Sequence, residues 1–123
     1  VHSAVDRLAA IGSGTRVEAH AEPLDAANAP RLLAGCQVAL DCTDALAPRY
    51  ALSDACAQGG VPMVHGSVSR WEGRVAVLCG PLAAAVPCYR CLWPHDAPDS
   101  PDAGVPSCDA AGVLGVVPGL VGM

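Results

Sequence analysis

Residues 36–64 read "CQVALDCTDALAPRYALSDACAQGGVPMV", and no other stretch of the chain carries as clear a fold signal. Cys36 to Cys42 is a short apolar run of the kind a buried strand uses. Pro48 then opens a helix over Arg49 to Gln58, closed by Gly59 and Gly60. Val61 to Val64 is a second apolar run. Strand, helix and strand thus follow one another with short turns, which predicts an α/β domain with a mainly parallel sheet.

Both flanks extend the alternation. His2 to Ile11 spaces Val5, Leu8, Ala9 and Ile11 as a helix does, and Gly12-Ser13-Gly14 ends it. Thr15 to Ala21 sets Val17 and Ala19 against Arg16, Glu18 and His20, the pattern of a half-buried strand. Asn28-Ala29-Pro30 opens a short helix over Arg31–Ala34, with Gly35 as its stop. Downstream, Arg70 to Cys79 alternates as a longer strand, with Arg70, Glu72 and Arg74 on one face and Trp71 on the other. That charged face reads as solvated. The segment 94–107 is rich in proline and aspartate, has no periodicity, and is expected to be a loop.

Composition narrows the function. Apolar residues make up 52% of the 123 and charged residues 15%, so the chain can bury a core. Twelve acids against seven arginines give a net charge of −5, which argues against a nucleic-acid binder. No apolar run reaches the roughly 18–20 residues that span a bilayer. Lysine is absent, so no mechanism that needs one is completed within these residues. The chain begins at Val1 and stops at Met123 inside an apolar segment, and it is read as an internal piece of a longer protein. Of the seven cysteines, Cys36, Cys42, Cys56 and Cys79 lie in apolar segments and are expected to be buried thiols. A reducing cytoplasm fits them better than a disulfide framework.

Three places could carry chemistry. Asp41 and Asp44 stand three apart where the first predicted strand ends, the position at which open α/β sheets bind ligands. They could share Mg²⁺ beside a phosphate, or simply form a turn by bonding backbone N–H groups. Cys88 and Cys91 form a CxxC, which is half of a zinc site, a redox pair, or a coincidence in a cysteine-rich chain. Cys108 follows Ser107, a good N-cap, so its thiol could sit in a first helical turn and be activated there. Against this stand Asp109 beside it and the glycines that weaken the helix. His65 and His95 have no partner at metal-ligand spacing and receive no role. "GSGTRV" from Gly12 lacks the third glycine of a dinucleotide fingerprint.

Four segments occur in an order known from one family: "LDCTDALAPRYALSDAC", "VPMVHGSVSRWEGRVAVL", "PCYRCLWP" and "VPSCDAAGVLGVVPGLVG". Together they resemble the ThiF/MoeB/HesA adenylyltransferases, which activate ubiquitin-like sulfur carriers. The resemblance implies a Rossmann-like α/β fold, ATP and Mg²⁺ as cofactors, and a homodimer. It also implies a carrier protein ending in Gly-Gly as partner, with neither nucleic acid nor membrane. By motif position, Asp44 is similar to the aspartate that contacts nucleotide and Mg²⁺, with Ala45 and Asp41 beside it. Cys88 and Cys91 match the first pair of four zinc cysteines. Cys108 matches the cysteine that bonds to the carrier during thiotransfer in some members.

The chain departs from the family pattern at Ala45, where asparagine is usual, and at Ser53, where the usual run is "NDAC". The family's glycine-rich loop, its phosphate-contacting arginine and its lysine belong before Val1, and its second CxxC belongs after Met123. A partial adenylyltransferase domain over 1–123, lacking its N-terminal nucleotide-binding half, is therefore expected. The alternatives are a non-catalytic domain that keeps only a carrier- or partner-binding surface, and a thiol-redox protein using Cys88 and Cys91.

Overall fold

The computed structural model describes residues 1–12, 14–80, 86–94 and 112–123. In chain order the elements are α1 (His2–Ile11), α2 (Ala29–Leu32), β1 (Ala39–Asp41), α3 (Leu46–Gly59), β2 (Pro62–Ser69), β3 (Glu72–Cys79), α4 (Tyr89–Leu92) and α5 (Val116–Gly122). The sheet runs β1-β2-β3. β1 and β2 are parallel, joined through α3, whereas β2 and β3 are antiparallel. The sheet among the described residues is therefore mixed, which corrects the expectation of a mainly parallel one. Arg70 and Trp71 make the difference. They form a two-residue turn between Ser69 and Glu72, with Arg70 at φ 51°. Tight hairpins of this kind need a positive φ, usually supplied by glycine or asparagine, so the sequence carried no turn signal there. Trp71 is consequently 77% exposed in the turn, where a strand face was expected.

Alternation along the strands sorts the sheet into two faces. Ala39, Met63 and Leu78 lie side by side across the three strands, and all three are buried beneath α3 with Tyr50, Leu52 and Cys56. Leu40, Val75 and Val77 point the other way and are largely exposed. α5 lies across one end of that outer face. A Cβ on Gly73 would come within 2.5 Å of Val121, so this close approach requires glycine.

α3 begins three residues before Arg49, and Pro48 falls in its first turn, where the missing N–H would have no helical partner anyway. Gly60 ends it in the left-handed conformation with φ 67°. Two further expectations fail. Thr15–Ala21 forms no strand and is exposed throughout. Its alternation has no neighbouring strand to pair with among the described residues. The first apolar run shortens to Ala39–Asp41, because Cys36 is held in the turn after α2 by its N–H bond to the Leu33 carbonyl, at 3.0 Å. Cys36 and Cys42 are exposed, and only Cys56 and Cys79 of the four are buried. α1 forms over the expected residues, yet none of them is buried.

Candidate functional site

The C-terminal end of β1 carries the first candidate site. Asp41 points into the core, and its side chain is fully enclosed. One carboxylate oxygen accepts from the Thr43 N–H at 3.0 Å and from the Thr43 hydroxyl at 2.7 Å. The other lies 2.6 Å from His65 Nδ1 on β2 and 3.3 Å from Arg49 Nε on α3. Arg49 also donates to the Thr43 carbonyl at 2.5 Å. Thr43 is thus held at its N–H, its hydroxyl and its carbonyl.

Burial by itself would push the Asp41 carboxyl up. The bonds from His65 and Thr43, followed by the Arg49 charge, outweigh burial and hold it below the usual carboxylate range. An ionised carboxylate only accepts hydrogen bonds, so the proton in its contact with His65 sits on Nδ1. The sequence left Asp41 and Asp44 as either a Mg²⁺-sharing pair or a turn bonded to backbone N–H groups, and the bond from the Thr43 N–H to Asp41 is the second of these. The structure separates the two carboxylates: Asp41 is spent on the core, while Asp44 and Ala45 are exposed on the turn that Asp41 braces. Ala45 is the N-cap of α3 and offers no side-chain bond to it.

The second candidate is the turn around Cys88 and Cys91. Cys88 is the N-cap of α4, and the two sulfurs lie 3.4 Å apart. A tetrahedron with zinc–sulfur bonds of about 2.3 Å has edges of roughly 3.8 Å, so a slight opening would let both thiolates grip one metal. Hydrogen bonds from the backbone and thiol of Cys88 lower the thiol pKa of Cys91, as a ligand or nucleophile requires. Burial pushes Cys56 up to about 11 and raises Cys79 as well, which suits them to the core alone. No cluster of three or more metal-ligating side chains occurs among the described residues. Cys88 and Cys91 could supply two ligands to a metal, and the same closeness would equally serve a redox pair.

α3 is the platform beneath this turn. Ser53 Oγ accepts the Tyr89 N–H at 3.0 Å, and the Tyr50 hydroxyl donates to the Trp93 carbonyl at 2.6 Å. Arg90 grips Asp54 with two bonds of 2.8 Å. Tyr50, Ser53 and Asp54 stand at helical spacings i, i+3 and i+4, a signal legible in the sequence once the partner is known. Tyr89, between the two cysteines, is 1% exposed. Its ring meets His65 edge-on at 5.2 Å, and its hydroxyl lies 3.4 Å from Arg49. The two candidate sites therefore share one buried side chain.

His65, given no role from sequence, joins the Asp41 cluster. Cys108 and His95 lie outside the described residues. Arg70, Glu72 and Arg74 are exposed as expected.

Such an arrangement defines an α/β domain with an exposed, braced turn at a parallel strand's C-terminal end and a cysteine pair on a separate turn. The chain belongs to the ThiF family, whose sequence pattern matches residues 1–123. It is 39% identical over 122 residues to the SAMP-activating enzyme E1 of Haloferax volcanii, covering 95% of this chain and 42% of that protein. It is 40% identical over 118 residues to the sulfur carrier protein adenylyltransferase of Thermus thermophilus, covering 94% and 42%. With the adenylyltransferase and sulfurtransferase MOCS3 of Caenorhabditis briggsae it shares 37% over 118 residues, covering 95% and 28%. The chain thus spans less than half the length of these relatives. No helix among the described residues is long and apolar enough to cross a membrane.

Proposed function

We propose that the intact protein adenylates the C-terminal glycine of a ubiquitin-like sulfur carrier, using ATP. The observation that carries this reading is Asp44, exposed on a braced turn at the end of β1 in a chain of the ThiF family. The names of the relatives support the same activity. A carboxylate oxygen of the carrier attacks the α-phosphorus of ATP, the bond to the bridging oxygen breaks, and pyrophosphate leaves with the electron pair. The product is a carrier acyl-adenylate. Mg²⁺, when bound, neutralises charge on the phosphates, and Asp44 is the side chain assigned to hold it, with Ala45 lining the nucleotide beside it. Asp41 acts from behind.

Cys88 and Cys91 supply two of four thiolates to a structural zinc. Cys108 is assigned the later thiol step: its sulfur attacks the acyl carbon, AMP leaves, and a thioester joins carrier to protein. The intact protein works as a homodimer.

The test is ATP–pyrophosphate exchange that depends on a carrier ending in Gly-Gly. Exchange is expected, and Asp44→Ala should lower it about a hundredfold. Absence of exchange with every such carrier would sink the proposal and favour a non-catalytic, carrier-binding domain.

A further inference from the structure

The Asp41 cluster holds more polar machinery than a turn requires. A turn of this kind needs only the Thr43 N–H bonded to a nearby carboxylate. Here the same carboxylate also engages a histidine from β2 and an arginine from α3, all inside the core. His65 is 2% exposed and Arg49 6%. Burying ionic groups is costly, and a hydrophobic set of equal volume commonly does as well for stability. Among the described residues, these groups converge on Thr43, directly before Asp44.

Each bond removes one freedom of that turn. The hydroxyl and N–H of Thr43 fix its own orientation against Asp41. Arg49 takes the Thr43 carbonyl, which is the first atom of the peptide leading into Asp44. His65 Nδ1 closes the set by holding the second carboxylate oxygen, so Asp41 cannot rotate away from Thr43. Tyr89 packs edge-on against the His65 ring and keeps it in place.

We infer that His65 and Asp41 are positioning residues for Asp44: His65 orients the Asp41 carboxylate, which locks Thr43 and sets where the Asp44 carboxylate stands. The inference rests on the reading of Asp44 as the Mg²⁺- and nucleotide-facing side chain. It assigns a task to a histidine twenty-four residues away from Asp41 in sequence.

Two variants of the intact protein test it. His65→Leu removes the donor at similar bulk, and His65→Asn keeps an N–H near the position of Nδ1. The first readout needs no nucleotide. Amide hydrogen exchange at Thr43 should speed up about tenfold or more in His65→Leu, with the β2 and β3 amides unchanged. In His65→Asn it should stay within about threefold of the parent. The second readout is the Mg²⁺ concentration for half-maximal pyrophosphate exchange. It should rise about ten- to a hundredfold in His65→Leu and be largely restored in His65→Asn. Unchanged protection at Thr43, or loosening of all three strands together, would overturn the inference. So would an active His65→Leu enzyme with an unaltered Mg²⁺ requirement, or Asn failing as badly as Leu. An Asp44→Ala protein with normal exchange would instead overturn the functional reading, and the amide measurement would still stand on its own.

Discussion

The turn after β1 and the turn around Cys88 and Cys91 rest on the same helix, and they are built from opposite materials. The first is braced by charge: Asp41, Arg49 and His65 meet inside the core and pin Thr43. The second is braced by rings and neutral bonds: Tyr89 and Trp93 lie 4.6 Å apart, Tyr50 meets Tyr89 edge-on at 5.2 Å, and Ser53 receives the Tyr89 N–H. The charged turn is complete within the described residues, and it offers one exposed carboxylate on a finished support. The cysteine turn has a comparable support and, on the zinc reading proposed above, two of four ligands. A site can therefore be rigid without being whole. Its platform and its ligand set are specified by different parts of the chain.

The largest expected effect breaks the charged turn. Asp41→Ala leaves Arg49 and His65 buried without their anion and should cost about 3–5 kcal/mol in urea denaturation of the intact protein. A change below about 1 kcal/mol would mean that the cluster carries little of the support described here. Next comes the neutral platform. Ser53→Ala strands the buried Tyr89 N–H and should cost about 1–3 kcal/mol, with loss of protection at that amide.

Acid should separate the two turns. The Asp41 carboxyl sits below its ordinary value of about 3.9. Its contribution to stability is therefore complete above that value and is lost as pH falls through the lower value of the folded state. Acid titration should loosen the Thr43 amide below about pH 4, and Asp41→Asn should abolish that step. Among the described residues, the one carboxylate in the bonds given above for the cysteine turn is that of the exposed Arg90–Asp54 pair.

Thiol chemistry reports on the second turn alone. Iodoacetamide at pH 8 should label Cys91 well before Cys56 and Cys79, read by mass spectrometry of the peptides. Bound zinc should protect Cys88 and Cys91 in the intact protein, whereas residues 1–123 alone should bind zinc weakly or not at all. Stoichiometric, chelator-resistant zinc on those 123 residues would overturn the half-site reading. The smallest effect is a gain. Ala45→Asn places a capping side chain at the start of α3 and should stabilise the fold by about 1 kcal/mol, visible as a raised denaturation midpoint.

The legible parts of the molecule share one property: their signals are local. α1 and α3 were readable from spacing and from the glycines that end them, and β2 from its apolar run. Thr15–Ala21 misled because alternation states only that a strand would suit the residues, and a strand exists only with a partner. The hairpin at Arg70 and Trp71 was hidden because an arginine occupies a positive φ that sequence rules assign to glycine. Asp44, Cys88 and Cys91 were singled out by motif. His65 was not, since nothing near it in the chain marks it as a partner of Asp41.

The amino-acid order by itself determined the family, the α/β class, the main helix and the two-residue gap between Cys88 and Cys91. The family rests on four motifs in a known order, and the rest follows from periodicity and spacing over a few residues. Only the tertiary structure decided that Asp41 faces inward while Asp44 faces out, that His65 closes the cluster, and that Tyr89 lies beneath both turns. Those assignments depend on which strand lies beside which, and pairing β1 with β2 brings Asp41 and His65 into register across 24 positions of sequence.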